Sequence, residues 1–224
     1  MSVELCLSVM KILILSYYFP PDLGPGALRT GSLVKALLRT TESKQIKIEV
    51  ISTYPNRYNV DLNNVFEGDS SDPRIKIVRL TVPRHSNKLW QRALGFPWFA
   101  FQVLQRKTFD DPPDVLFATS SRLMTALLGA WIARRARAKL YLDIRDLFVD
   151  TMASFWKKSP ARFFIPVLSL LERITYKAAD RISVISGGFV DDVTAIAGKE
   201  SVPVFTHGVD GTNEVRHLED VKHR

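Results

Sequence analysis

Residues 11–38, KILILSYYFPPDLGPGALRTGSLVKALL, narrow most sharply what this chain can fold into. A short apolar run, a Pro/Gly loop and an amphipathic segment with a basic start make the pattern of a strand that turns around a ligand and continues as a helix. The run at 11–16 is too continuously apolar for a half-exposed strand, so it predicts a central strand in a parallel sheet with helices on both faces. Pro20 and Pro21 hold the following residues extended, and Gly24 and Gly26 let backbone come close to a ligand. Helix is expected from Ala27, with Leu28, Leu33, Ala36 and Leu37 on its buried face. Free N–H groups at its start, reinforced by Arg29, suit an anion.

The rest of the chain supplies the sheet. Further strands are expected at 47–52, 74–82, 114–118, 139–144, 181–185 and 202–205, with helices at 88–107, 123–137 and 160–179. The alternation gives an α/β, Rossmann-like fold with a mostly parallel sheet and helices on both faces. Such folds bind ligands at the carboxyl ends of their strands. Four turns follow predicted strands: residues 24–29, Ser120 with Ser121, Arg145 with Asp146, and Ser186 with Gly187. Their convergence favours a ligand bearing hydroxyl and phosphate oxygens. Asp143 or Asp146 can accept a hydrogen bond from a hydroxyl or deprotonate it. Asp146 alternatively pairs with Arg145 or caps a helix from Leu147, and Ser120 alternatively serves only as a cap.

With 224 residues, 46% apolar and 24% charged, the chain suits one α/β domain. Its single cysteine, Cys6, excludes an internal disulfide framework and a cysteine-rich metal site. His85, His207, His217 and His223 show no metal-ligand spacing, so no metal is expected. There is no Walker-type Gly-Lys-Ser/Thr, and Gly24 and Gly26 lack the third glycine of a dinucleotide fingerprint. The net charge of +8 makes polyanions or anionic membrane surfaces plausible partners. The basic side chains Arg74, Lys76 and Arg79 read as a solvated strand face, and nucleic acid is not expected.

Residues 88–107, KLWQRALGFPWFAFQVLQRK, crowd Trp90, Phe96, Trp98, Phe99 and Phe101 between basic ends. Two readings stand: a core-packing helix, or an interfacial helix whose aromatics meet lipid headgroups. Pro97 predicts a break or kink. Lys157, Lys158 and Arg162 beside FFIPVLSLL extend the same candidate surface, though that run is too short to span a membrane.

Four segments together resemble the N-terminal half of GT-B glycosyltransferases of the family-four type: KILILSYYFPPDLGPGALRTGSLVKAL, YLDIRDLF, ERITYKAADRISVISGGF and THGVD. The likeness is strongest to bacterial colanic-acid, O-antigen and N-acetyl-fucosamine transferase-like enzymes. It implies one half of a GT-B architecture, in which this domain holds the acceptor and a facing domain holds most of a nucleotide sugar. Gly24, Gly26 and Arg29 match the first loop of the cleft. Asp143, Arg145 and Asp146 match the family's DxRDLW-like segment, with Phe148 where Trp is usual and Val149 where Pro often follows. A retaining, metal-independent transferase without a cofactor is implied, in cell-surface polysaccharide assembly at the inner face of the cytoplasmic membrane. Its acceptor would be a glycan or a lipid-diphosphate-linked sugar.

The expected organisation is an extension at 1–9, with Met10 as an alternative start, a domain at 10–210 and a polar tail at 211–224. No two glutamates have the E-x7-E spacing of the family's donor site. The expectation is therefore a truncated, frame-shifted or split enzyme that needs a donor domain, supplied by a partner chain in the split case. The competing reading is a non-enzymatic Rossmann-like subunit for assembly or membrane docking.

Overall fold

The fold is described from a computed structural model covering residues 9–22, 24–40, 46–55, 72–82, 89–106, 112–120 and 123–206, with side chains from 95 onward in the 89–106 segment. The expectations for residues 1–8, Ser121, His85, the side chain of Trp90 and everything from His207 onward lie outside the described residues.

Six strands pair in parallel: β1 (Met10–Leu15), β2 (Ile46–Thr53), β3 (Ile75–Leu80), β4 (Val115–Thr119), β5 (Lys139–Ile144) and β6 (Arg181–Val184). Their order is β3-β2-β1-β4-β5-β6, so β1 is central as its apolar run predicts. The order reverses direction between β1 and β4, the switch point at which doubly wound sheets open a crevice.

Alternation along the strands sorts the core onto two faces. Ile12, Ile14, Ile48 and Val50 join Phe19 and Val34 on the face covered by α1 (Pro25–Thr40). Leu13, Leu15, Leu116, Ala118, Leu140, Leu142 and Ile144 form the larger cluster on the other face. There they meet residues of α2 (Leu89–Gln105), α3 (Leu123–Ala136), α5 (Ile165–Ala178) and α6 (Val190–Ala197). A shorter helix, α4 (Phe148–Phe155), follows β5 where the alternative reading of Asp146 as a cap expected one, but its N-cap is Leu147.

Several boundaries and faces differ from expectation. The buried stripe of α1 is Ala27, Thr30, Gly31 and Val34, whereas Leu28 is 47% exposed and Ala36 is exposed. The residues at i, i+3, i+4 and i+7 are mostly small, which lets the helix lie close on the sheet while the leucines flank it. The same device seats α3: a Cβ on Gly129 would stand 2.7 Å from the Ala118 Cβ. The predicted 160–179 helix divides into a 3-10 turn (Pro160–Phe164) and α5, with Pro166 in the first turn of α5, where proline is tolerated. The strand expected at 202–205 is a single bridge between Val184 and Val204, because Pro203 has no N–H to extend the ladder.

Helix α2 continues across Pro97, with one side packed on the core and the other exposed. Phe99 and Val103 are buried and Phe96 packs on the core, where Phe96 and Phe99 meet the fully buried Tyr17 ring. Trp98, Phe101 and Leu104 point outward. On β3, Lys76 pairs with Glu49 at 3.5 Å at the surface. Arg79 departs from the solvated-face reading: it folds over the Phe19 ring and donates to the Pro20 carbonyl.

Candidate functional site

At the switch point the first residue beyond β1 faces the last residue of β4. Ser16 Oγ donates to the Tyr18 carbonyl at 2.7 Å and lies 3.3 Å from Thr30 Oγ1 and 3.5 Å from Thr119 Oγ1. Thr30 Oγ1 donates to the Gly26 carbonyl at 3.0 Å. This hydroxyl chain ties the strand end to the first turn of α1. Pro25 opens that helix without an N–H, and the Gly24 carbonyl takes the N–H groups of Ala27 and Leu28 at 2.9 and 3.1 Å.

Alternation along β5 puts Asp143 on the α1 side of the sheet, where it is 1% exposed. Arg29 reaches it from α1 with a bidentate pair, Nε to Oδ2 at 2.9 Å and Nη2 to Oδ1 at 2.8 Å. Ser183 on β6 adds a hydroxyl donor to Oδ1 at 3.0 Å. Arg29 Nη1 donates further to the carbonyls of Phe205 at 2.7 Å and Thr206 at 3.3 Å. The fork of Arg29 is thus committed to Asp143 and to the segment leaving β6, not to the start of its own helix. A carboxylate with three charge-assisted or hydroxyl donors tolerates burial that an unpaired one would not.

One residue past β5, Arg145 is buried and its backbone N–H donates to Ser120 Oγ at 2.9 Å, while the Ser120 N–H donates to the Asp143 carbonyl at 2.9 Å. Ser120 therefore joins the ends of β4 and β5 rather than serving only as a cap. The Arg145 guanidinium passes under the glycine loop: a Cβ on Gly26 would stand 2.7 Å from its Nη1, whereas one on Gly24 would meet nothing within 4 Å. Close approach is thus a property of Gly26 alone of the two. Burial pulls the Arg145 pKa down, with Asp143 opposing that shift and Arg29 adding to it. Asp146, next in the chain, is exposed at the edge.

The turn is held from below. The α4 start has no side-chain cap of its own, and the Val149 N–H is directed to the buried carboxylate of Glu172 on α5. Tyr176 Oη donates to Glu172 Oε1 at 3.3 Å. Burial pushes the Glu172 pKa up, and burial followed by the Glu172 charge pushes that of Tyr176 up.

Of the residues singled out in the sequence, Gly26, Arg29, Ser120, Asp143 and Arg145 form one connected cluster, with Asp146 adjoining it. Gly24 starts α1 two residues away. Ser186 stands apart in its own turn, where its hydroxyl accepts from the Gly188 N–H at 3.3 Å as a cap. Ser16, Thr30, Ser183 and Glu172 escaped notice. Ser16 and Ser183 lie at the carboxyl ends of β1 and β6 and Thr30 lies near the start of α1 beside Arg29, while Glu172 is the one acid of α5.

A parallel sheet of order 3-2-1-4-5-6 with turns clustered at its switch point is a Rossmann-like α/β fold of the N-terminal type seen in the GT-B architecture. The profile of the glycosyl transferase 4-like domain matches residues 30–206, most of the chain, and the chain belongs to that family. Among solved structures it is similar to Arabidopsis thaliana UGT89C1 complexed with UDP, at TM-score 0.52 and 13% identity over 89% of this chain and 49% of that one. Glycyrrhiza uralensis UGT73P12, complexed with glycyrrhetinic acid 3-O-monoglucuronide, gives 0.53 and 10% over 90% and 49%. A Listeria monocytogenes protein assigned as a UDP-N-acetylglucosamine 2-epimerase gives 0.51 and 15% over 90% and 45%. The chain spans about half the length of these structures, and at such identities the likeness is one of fold. No curated protein matches. Among the described residues no helix is long and apolar enough to cross a membrane.

Proposed function

We propose that this domain is the acceptor-binding half of a retaining glycosyltransferase in cell-surface polysaccharide synthesis, working from a nucleotide sugar held mainly by a facing donor domain. The observation that carries the reading is the cluster of Gly26, Ser120 and Arg145 beside the exposed Asp146, at the switch point of a chain in the glycosyl transferase 4-like family. Its acceptor is a glycan or a lipid-diphosphate-linked sugar, met at the inner face of the cytoplasmic membrane.

In this reading Asp146 is the catalytic base. It takes the proton of the acceptor hydroxyl as that oxygen bonds to the anomeric carbon from the same face on which the bond to the nucleotide diphosphate breaks, which retains the anomeric configuration. Arg145 supplies positive charge to the acceptor's anionic group, and Gly26 leaves the space in which its guanidinium lies. Gly24, before α1, and Ser186, in the turn after β6, contact the acceptor outside this cluster in the same reading. Arg29 and Asp143 hold α1, β5 and residues 205–206 in register. Stabilisation of the leaving diphosphate, usually a large part of the rate, comes from the donor domain.

The test is transfer from a panel of UDP-, GDP- and dTDP-sugars to lipid-diphosphate-linked acceptors, with and without a chain carrying a family-four donor domain. Transfer that needs the second chain, with retention at the anomeric centre, supports the reading. Robust transfer by the 224-residue chain alone would refute the division of labour, and acceptor binding without transfer under either condition would favour a non-enzymatic assembly subunit.

A further inference from the structure

A run of exposed apolar side chains lies outside the site cluster, along the outer side of α5 and the turn before it. Phe155 is 76% exposed, Phe163 74%, Phe164 65% and Leu170 58%, with Val167 and Ile174 also exposed. Phe163, Val167, Leu170 and Ile174 recur at spacings of four, three and four, so they form one stripe along the helix. The opposite side of α5 carries its buried residues, Glu172, Thr175 and Tyr176, so the stripe is not its core-facing side.

The rim of this stripe is basic. Between residues 155 and 178 the sequence has Lys157, Lys158, Arg162, Arg173 and Lys177, all exposed, and one acid, Glu172, which is buried. Arg162 lies over the Phe163 ring at 5.2 Å, keeping its charge beside the apolar end of the stripe. The neighbouring helix α3, which packs on α5, adds exposed Trp131 with Arg135 above its ring at 5.7 Å, and α2 beyond it adds Trp98, Phe101 and Leu104. Exposed aromatics among cations are what an anionic headgroup layer accepts. A second copy of the chain would set five cations against five.

We propose that the outer face of α5 and the Pro160–Phe164 turn docks this protein on an anionic bilayer, with Phe163, Phe164, Val167, Leu170 and Ile174 entering the headgroup boundary and Lys157, Lys158 and Arg162 pairing with lipid phosphates. The sequence placed such a surface chiefly on residues 88–107; the structure moves its centre to α5, with α2 at its margin. Docking is read without any sugar donor, so it stands or falls separately from the transferase reading. Where both hold, they connect, because α4 begins two residues after Asp146 and its eight residues span about 12 Å. The face then starts a short distance from the proposed base.

The experiment is co-sedimentation of the full chain with vesicles of phosphatidylcholine, with and without phosphatidylglycerol. Binding is expected only with phosphatidylglycerol, weakening as salt rises. Lys157→Gln/Lys158→Gln should lose about 30-fold in partition, about five-fold for each charge near an anionic surface. Phe163→Ser/Phe164→Ser should lose at least about 10-fold through the apolar contribution to interfacial binding. Both pairs are exposed, so circular dichroism and melting temperature should match wild type. Equal sedimentation with both vesicle types, or binding unchanged in both double variants, would overturn the proposal. So would a wild-type dimer in sedimentation velocity that Phe163→Ser/Phe164→Ser dissolves, since the face would then belong to a second copy.

Discussion

Removing Arg29 should do more damage than its place on a helix surface suggests. Asp143 is 1% exposed and, among the described residues, takes two of its three side-chain hydrogen bonds from Arg29, so Arg29→Met leaves it the Ser183 hydroxyl and the neighbouring charge of Arg145. Breaking a buried ion pair from one side costs roughly 3–5 kcal/mol, and because the Arg29 side chain is itself 16% exposed the lower end applies, about 3 kcal/mol. For a chain of this size that corresponds to a melting-temperature drop of about 6–12 °C. Urea titrations followed by circular dichroism, run on Arg29→Met, Asp143→Asn and the double variant, isolate the pair itself. The expected coupling is about 2 kcal/mol, since the second substitution removes the stranded charge. A coupling of about 0.5 kcal/mol or less, the value of an exposed pair, would refute the view that this contact locks α1 to β5.

Gly26→Ala should separate stability from function. Alanine suits a helix better by roughly 1 kcal/mol, so melting should hold or rise, but its Cβ displaces the Arg145 guanidinium and transfer should fall by about 10- to 100-fold. Ser120→Ala strands the buried Arg145 N–H and should cost about 1–3 kcal/mol in denaturant titration. Glu172→Gln tests the support beneath α4. The folded-state pKa of Glu172 is raised, so protonation favours the fold: this contribution is full below the unfolded carboxyl pKa and is lost as pH rises through the folded value. The variant should therefore melt above wild type near neutral pH, with the difference shrinking on acidification; a difference that grows on acidification would contradict the assignment.

The sheet was legible because its strands are short apolar runs at regular spacing, and parallel pairing in the middle of an α/β fold demands nothing else of them. The turn residues were legible for the same reason, since each follows such a run. What escaped were relations across the chain. Nothing near Arg29 signals that its fork crosses to Asp143, 114 residues on, and a Gly-rich helix start makes an anion the natural expectation. The buried stripe of α1 was misread because leucines outrank Ala27 and Gly31 in hydrophobicity, while close packing on a sheet rewards small size. Helix α4 has eight residues and takes its cap from α5, leaving only a weak local signal. The outward direction of the α5 stripe was not legible, because periodicity reports a face but not what covers it.

The most direct test of the account is Asp146→Asn, assayed for sugar transfer in the presence of a donor-domain chain. Asp146 is exposed, so the variant should fold and bind acceptor as wild type does. A base that takes the acceptor proton predicts a fall in kcat of about 100- to 10,000-fold with KM little changed. Transfer within about two-fold of wild type, below what loss of any catalytic base produces, would contradict the placement of the reaction at this edge of the sheet.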